Sequence, residues 1–385
     1  MGGKVDVTLV TDPRFQGGTA SAFLTDVEAF LSAGLKVAVV LFRSGGFFQP
    51  DDLENNALRA LTIDTRLVSD PVSSHTIFLH NPQVFGNKQL LLADKPLCLP
   101  QCDRLFMVAH HPPFLGDGAL CYDPLTISRG IAHACGQSPQ WLPVSGLLRE
   151  QLRSFRPFLD ISREDWVNSF DTAAWPSGPA RMQSAHLVVG RHGRAHPDKW
   201  PDKSTDLAAS LPASPLTEIH VLGADPAFFA ARGVDTSAWQ MLPFGAQSAQ
   251  QFLAGLDVFS YFHGSRWREA FGRTVAEAMM SGARCILDTS LRPTFGNHAL
   301  YCRPTEVSAL LDGIRDDPRP HIQAARDAGE WCRQRFSTDD LMARYQRILS
   351  APSARWEGGA SEAPPLRTFR KWLGFHRRDR KAQKI

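Results

Sequence analysis

Apolar residues recur along the chain in two patterns that alternate, short β-rich runs and longer stretches with helical spacing. Val5 to Val10 is a run of the first kind. The loop Thr11 to Gly18 follows it, then a helical stretch Thr19 to Ala33, then a second predicted strand Lys36 to Phe42. Gly34 stands where a helix C-terminus favours glycine, and the crossover is long enough to return the chain for a parallel strand. The N-terminal half therefore opens as a βαβ unit of a doubly wound sheet. Thr76 to Leu79 and Leu105 to Ala109 are further runs, each ending at a histidine and a proline-containing loop, His80-Asn81-Pro82 and His110-His111-Pro112-Pro113. An open α/β sheet binds ligands at the carboxyl ends of its strands, so both loops are expected walls of a site.

From about Ser138 to Gly178 the pattern turns rich in Trp, Arg and Pro, and it ends in Trp175-Pro176-Ser177-Gly178-Pro179, which reads as a domain connection. Alternation then resumes. His186 to Val189, Glu218 to Leu222, Asp257 to Phe262 and Arg284 to Leu287 are predicted strands with helical stretches between most of them, so the second half repeats the first. Thr338 to Leu349 closes it as an amphipathic helix with Leu341, Tyr345, Ile348 and Leu349 on one face. A Gly, Ala, Ser and Pro linker, Ser353 to Pro365, leads to the segment Leu366 to Ile385. There eight Lys or Arg residues stand against one acid, Asp379, with Leu366, Phe369, Trp372, Leu373 and Phe375 interleaved. The predicted organisation is an N-terminal domain over 1–178, a C-terminal domain over 179–350, and a linker with a basic amphipathic tail over 351–385.

The length of 385 residues suits two domains, each able to bury its own core. Apolar residues make up 43% of the chain and charged ones 21%, which fits folding in water and is too polar for a polytopic membrane protein. The net charge of +3 comes largely from the tail, so the body lacks the basic field that nucleic acid requires, and neither DNA nor RNA is an expected partner. No stretch approaches the roughly 20 apolar residues that span a bilayer, and Met1 to Lys4 leads into a strand without a signal-peptide pattern. The expected address is the cytoplasm. The tail over 366–385 reads either as an anchor to an anionic membrane surface on the inner face of the cytoplasmic membrane or as a solvated segment. Seven scattered cysteines, Cys98, Cys102, Cys121, Cys135, Cys285, Cys302 and Cys332, read as reduced. Cys98 and Cys102 near His110 and His111 match a zinc set poorly, with Pro100 between the thiols, and no metal is expected.

The stretch Glu269-Ala-Phe-Gly-Arg-Thr-Val-Ala-Glu277-Ala-Met-Met-Ser-Gly282 places two carboxylates around a glycine and a helix start. Thr274 is the expected N-cap, with first-turn amides pointing back toward Phe271 and Gly272. A helix N-terminus beside a residue without a side chain is an anion site. Glu269 before the turn and Glu277 one turn into the helix would flank the anion and accept from sugar and ribose hydroxyls. Thr274 and Glu277 equally form a capping box, which satisfies the helix end and needs no ligand.

Val189-Gly190-Arg191-His192-Gly193-Arg194, with Lys199 and Lys203 downstream, offers cations to a pyrophosphate leaving group or makes a solvated basic loop. Gly17-Gly18 between the first strand and helix allows close backbone approach, or serves a tight turn. His110, first after its strand, is preferred to His111 as the histidine that faces a ligand; either, like His80, also fits a strand-end cap. No Asp-x-Asp lies in a strand-end loop, and Asp51-Asp52, Asp316-Asp317 and Asp339-Asp340 read as helix or turn starts.

Glu269 to Glu277 resembles the E-x7-E signature of retaining GT-B glycosyltransferases, the large family of group 1, family 4-like glycosyl transferases. Phe-Gly stands inside it, Ala-x-x-Ser-Gly follows it, and predicted strands flank it. The resemblance implies two Rossmann-like doubly wound α/β domains facing across a cleft, with donor bound mainly by the second and acceptor by the first. It implies that Glu269 contacts the donor sugar, that Glu277 binds the nucleotide ribose, and that the backbone at Phe271, Gly272 and Arg273 binds phosphate. Arg191 and one lysine, Lys199 or Lys203, are implied as diphosphate ligands, although the segment Ala195 to Pro201 is longer than the common form. Gly17 and Gly18 are implied to reach the donor phosphate, and His110 to face sugar and acceptor. The implied activity is metal-independent, retaining transfer of a hexose-type sugar from a UDP- or GDP-sugar donor, with no resident cofactor. The implied acceptor is a saccharide or lipid-linked saccharide, in bacterial surface polysaccharide or glycolipid synthesis. A non-transferring enzyme of the sugar-nucleotide 2-epimerase type and a catalytically silent sugar-nucleotide-binding module share the same fold and donor site.

Overall fold

The computed structural model describes residues 3–156, 158–175, 181–193 and 196–351, with residues 370, 373, 374 and 377 of the tail. The chain forms two compact units, one of Met1–Phe170 with Thr338–Ile385 and one of Asp171–Ser337. The tail expected over 366–385 falls almost wholly outside the described residues.

The first unit is built on a five-stranded sheet, β2-β1-β3-β4-β5, in which every pairing is parallel. Its strands are β1 (Lys4–Thr11), β2 (Val37–Leu41), β3 (Ser73–His80), β4 (Gln101–Ala109) and β5 (Gln140–Pro143). Val7, Leu9, Val10, Ile77, Phe78, Leu79 and Phe106 to Ala109 are all buried, including neighbours that point to opposite faces. Burial on both faces is why these strands read as continuous apolar runs. β5 lies inside the segment taken from sequence as a connection. It is short and ends in proline, but Trp141 within it is fully buried and its Nε1 donates to Ser128 Oγ at 2.8 Å.

The closing helix, Leu341–Ser350, packs on the first unit and not, as the boundary at 350 implied, on the second. Leu341, Tyr345 and Ile348 bury the predicted face. The Tyr345 ring lies 5.2 Å from Phe30 and 6.1 Å from Phe78, and its hydroxyl meets Thr76 Oγ1 at 2.8 Å. Arg104 of β4 donates to the helix-end carbonyl of Leu349 at 3.1 Å, satisfying an oxygen that the helix itself leaves without a partner. Arg344, 2% exposed, donates to Val167 O at 3.1 Å and Ser169 Oγ at 3.2 Å. The apolar face of this helix therefore completes a core begun more than two hundred residues earlier in sequence.

The second unit holds a six-stranded parallel sheet, β11-β10-β9-β6-β7-β8. Its strands are β6 (Leu187–His192), β7 (Thr217–Leu222), β8 (Trp239–Leu242), β9 (Val258–Tyr261), β10 (Arg284–Leu287) and β11 (Leu300–Tyr301). Val189, Ile219, Val221, Val258 and Ile286 from the strands pack with Trp200, Leu207, Phe229, Leu311 and Ile314. The strands not foreseen, β8 and β11, are the two sheet edges, where shortness and partial exposure erase the apolar run.

Tyr345→Ala opens a cavity against Phe30 and Phe78, and the expected cost is about 3 to 5 kcal/mol in denaturant unfolding. A loss below about 1 kcal/mol would contradict the packing role of this helix.

Candidate functional site

The carboxyl edge of the second sheet gathers β6, β9 and the helix Arg273–Met280. That helix starts at Gly272, which takes φ 86° and ψ 53°, and no side chain caps it. The expected Thr274 cap and its capping box with Glu277 are therefore not formed. Gly272 is required here by its left-handed backbone, and a Cβ would also come within 3.2 Å of the Phe295 ring. The same hypothetical Cβ would lie 3.6 Å from Glu269 Cγ, so the Glu269 side chain runs beside the helix N-terminus. The amides of Val275 and Ala276 turn back to Gly272 O at 2.9 and 3.1 Å, and the helix dipole adds partial positive charge at this end.

Glu269 is the most strongly engaged residue at this edge. Its Oε2 accepts from Lys199 Nζ at 2.5 Å, from Tyr261 OH at 2.5 Å and from Trp267 Nε1 at 3.3 Å. Burial pushes the carboxyl up, but the Lys199 charge and hydrogen bond and the Tyr261 hydroxyl outweigh it and hold it at about 2. The same burial, with the Glu269 charge, pushes the Tyr261 phenol well up, so it stays a donor. Lys199 Nζ also lies 4.4 Å from the centre of the Trp267 ring. Of the two candidate lysines, Lys199 reaches Glu269, whereas Lys203 is exposed at the start of the helix Ser204–Ser210.

Arg191 sits differently from the expected diphosphate ligand. It is 2% exposed, its Nη1 donates to Phe262 O at 2.8 Å, and its Nη2 donates to Lys199 O at 2.7 Å. The guanidinium stacks over Trp200 at 3.8 Å and Tyr261 at 4.7 Å. Burial lowers its pKa to about 10, and the Tyr261 and Glu269 groups support the charge, which is retained at neutral pH. The loop brings the carbonyls of Phe262 and Lys199 to the guanidinium, and Arg191 ties the Lys199 segment to the end of β9. Arg194, in the same basic stretch, lies outside the described residues.

Glu277 points its Oε2 to within 3.3 Å of His192 Nε2 at the end of β6, and its Oε1 lies 4.0 Å from Arg273 Nε. His263, just beyond β9, holds Gly264 O at 3.0 Å through Nδ1 and Ser290 Oγ at 3.3 Å through Nε2, and burial lowers its proton affinity. Tyr261, Trp267 and His192 were not singled out from sequence. Trp267 stands only two residues from Glu269, but no periodicity predicts a loop that folds back on its own carboxylate.

In the first unit, Gly17 takes φ 60° and ψ −135° as the N-cap of the helix Gly18–Ser32. The loop before it is anchored by a buried pair, Arg14 Nη2 to Asp12 Oδ2 at 2.6 Å, with Asp12 also accepting from Ser44 N and Oγ at 2.8 Å each. His110, 6% exposed, has its Nε2 3.0 Å from His80 Nδ1. Burial lowers the His80 pKa to about 3, so that ring is neutral. Its Nε2 lies 4.0 Å from Asp26 Oδ2, which accepts from Trp166 Nε1 at 2.8 Å. A hydrogen on Nε2 facing the carboxylate is the favourable tautomer, and it leaves His80 Nδ1 to accept from His110 Nε2. Among the described residues, no group of three or more His, Cys, Asp or Glu is placed to hold a metal ion.

No protein-family model matches the chain, and no curated protein matches it in sequence. Solved structures do match it in three dimensions. Anabaena HepE in complex with UDP-glucose is similar over 90% of this chain and 100% of its own, with a TM-score of 0.61 at 12% identity. The catalytic domain of starch synthase IV from Arabidopsis thaliana, bound to ADP and acarbose, matches 91% and 100% with a TM-score of 0.54 at 12% identity. WaaG, a glycosyltransferase involved in lipopolysaccharide biosynthesis, matches 90% and 100% with a TM-score of 0.52 at 13% identity. Likeness at such identity speaks for architecture, and the chain has the GT-B fold of two parallel-sheet α/β units.

Two measurements follow from the electrostatics. In Lys199→Met the burial of Glu269 is no longer opposed by a cation, so its pKa should rise from about 2 towards or above 4.5, as read by carboxyl NMR titration. An unchanged titration would show that Lys199 does not hold the charge. His80, neutral when folded down to about pH 3 but protonated below about 6.5 when unfolded, subtracts stability as the pH falls through that window. His80→Gln should flatten the stability profile between about pH 6 and about pH 4; an identical slope in both proteins would refute the assignment.

Proposed function

We propose that the chain is a glycosyltransferase that moves a hexose-type sugar from a UDP- or GDP-sugar to a saccharide or lipid-linked saccharide acceptor, with retention of configuration. The observation that carries this reading is the meeting of Lys199, Glu269 and the uncapped helix start at Gly272 on one sheet edge. A cation and a helix N-terminus placed together suit a diphosphate, and the carboxylates Glu269 and Glu277 beside them suit sugar and ribose hydroxyls. HepE, of the same fold, is seen with UDP-glucose. WaaG, also of this fold, acts in lipopolysaccharide biosynthesis, which supports a place in surface polysaccharide or glycolipid synthesis.

In this mechanism the bond between the anomeric carbon and the diphosphate oxygen breaks, and its electron pair leaves with the diphosphate. Lys199 and the positive end of the helix that starts at Gly272 meet that growing charge, which is the service a metal ion would otherwise supply. Lys199 exchanges its apo partner Glu269 for phosphate, and Glu269 exchanges Lys199 for a sugar hydroxyl. The acceptor oxygen forms the new bond, and its proton passes to the departing phosphate oxygen. Arg191 acts one step back, by fixing the segment that carries Lys199. The first unit takes the acceptor, with His110 assigned to sugar and acceptor and the Gly17-Gly18 loop assigned to the donor phosphate. The basic tail over 366–385 would hold the enzyme to an anionic membrane surface on the cytoplasmic side.

Screening thermal stabilisation by UDP, GDP and their common sugars tests donor binding, since a ligand of the folded state raises the melting temperature. Transfer assays with the preferred donor then separate the chemistry. Lys199→Ala should lose on the order of 2 to 4 kcal/mol of transition-state stabilisation while remaining folded. If no nucleotide stabilises the protein, or Lys199→Ala turns over normally, the reading fails. Donor conversion without any acceptor would move the chain to the epimerase type.

A further inference from the structure

Three donors reach Glu269, and they differ in their freedom to leave it. Lys199 Nζ and the Tyr261 hydroxyl each lie 2.5 Å from Oε2, and Trp267 Nε1 lies 3.3 Å from the same atom. Lys199 Nζ is also 3.5 Å from the Tyr261 hydroxyl, which can accept from the ammonium while it donates to the carboxylate. All three bonds fall on one oxygen. Among the described residues Oε1 accepts none, which leaves it for a ligand hydroxyl.

Lys199 is the mobile member of the group. Its side chain keeps 22% of its surface exposed, and a flexible four-carbon stem separates its charge from the turn Pro197–Lys199. Tyr261 is the fixed one. It is the last residue of β9 and 2% exposed, with its ring stacked on Phe259 at 6.0 Å and under the Arg191 guanidinium at 4.7 Å. Trp267, half-buried, reaches Glu269 from two residues away in the same loop.

In the proposed reaction the diphosphate draws Lys199 away and brings negative charge of its own beside Glu269. Burial would then favour the protonated carboxyl, a weaker acceptor for a sugar hydroxyl. Other groups act on the Glu269 charge, but none of them replaces the ammonium. Arg191 is held by the carbonyls of Phe262 and Lys199, and His263, whose proton affinity burial lowers, is engaged with Gly264 O and Ser290 Oγ. The positive end of the helix at Gly272 lies alongside and faces the diphosphate as well. What stays on Oε2 is the phenol and the indole.

We propose that Tyr261 and Trp267 are positioning residues that keep Glu269 ionised, with Oε1 turned to the donor sugar, while Lys199 serves the diphosphate. The departure of Lys199 rests on the transferase reading, whereas the hold of the two neutral donors on Glu269 is measurable with no ligand present. Specificity for the sugar hydroxyl that meets Oε1 then depends on two side chains that touch neither sugar nor phosphate.

The test is carboxyl NMR titration of Glu269 in the full chain, assigned with Glu269→Gln, across a cycle of Lys199→Met and Tyr261→Phe. Tyr261→Phe removes a hydroxyl and keeps the packed ring. With Lys199 in place it should raise the Glu269 pKa by less than about 1 pH unit; in the Lys199→Met background it should raise it by a further 1 to 2, roughly the worth of a hydrogen bond to a charged group. Saturating UDP, or GDP where thermal stabilisation selects it, should reproduce the larger effect with Lys199 present. Trp267→Phe should act in the same direction. In transfer assays Tyr261→Phe should move the acid limb of kcat, which reports the donor complex, further up than that of kcat/KM, which reports the free enzyme. A merely structural role would lower both rates and move neither limb.

An effect of Tyr261→Phe that is equal with and without Lys199 would overturn the proposal. So would a nucleotide that stabilises the protein yet leaves the effect small, since Lys199 would then have stayed on Glu269. Absence of stabilisation by both UDP and GDP overturns the transferase reading and takes the departure of Lys199 with it, even where the Lys199→Met cycle comes out as expected. Should Tyr261→Phe fail to fold, the same cycle with Trp267→Phe decides on the same terms.

Discussion

Glu269 is a carboxylate in surroundings that oppose its charge, and the rest of the candidate site is arranged around keeping that charge in place. Burial alone would raise its pKa; the Lys199 ammonium at 2.5 Å and the Tyr261 hydroxyl reverse the outcome. Lys199 is in turn fixed through its own carbonyl, which Arg191 holds while stacked between Trp200 and Tyr261. The dependence runs in one direction. Arg191 positions a backbone, the backbone positions an ammonium, and the ammonium sets the charge beside the Gly272 turn. A long flexible lysine would be a poor point charge on a mobile loop, and the guanidinium clamp removes that freedom before any ligand arrives.

The first unit uses the same device with other residues. Asp12 and Arg14 pin the loop that ends at Gly17, through a carboxylate that also takes both donors of Ser44. Nearby, Asp26 of the helix Gly18–Ser32, His80 at the end of β3 and His110 just beyond β4 form a buried series in which the neutral His80 stands between a carboxylate and a second imidazole. In both units the polar groups at the strand ends are held by partners deeper in the fold, which lowers the entropy cost of presenting them.

Much of this architecture was legible because parallel strands covered on both faces leave an unmistakable apolar run, as in Ile77 to Leu79 or Val258 to Tyr261. β5, β8 and β11 were not, since four residues or fewer at or beside a sheet edge carry too little pattern. The E-x7-E stretch lies at the carboxyl edge of the second sheet, and its helix is capped by a left-handed Gly272, two residues before the expected Thr274 cap. Arg191 illustrates a deeper limit. Sequence shows that a guanidinium is present but not which acceptors reach it first, and here two carbonyls brought in by the loop do. The domain boundary failed for a related reason: the amphipathic face of Leu341–Ser350 was visible, but nothing local says which sheet it will cover.

That last feature bears on the order in which the protein is made. The first unit cannot seal Phe30 and Phe78 until Tyr345 has been translated, and by then every residue of Asp171–Ser337 has already been synthesised. Domains acquire structure as they emerge, so the unit later in sequence is the one able to finish first, while its predecessor waits with an open hydrophobic flank. The nascent chain thus spends its longest vulnerable interval on the half that was synthesised earliest, and that half is where chaperone engagement would concentrate.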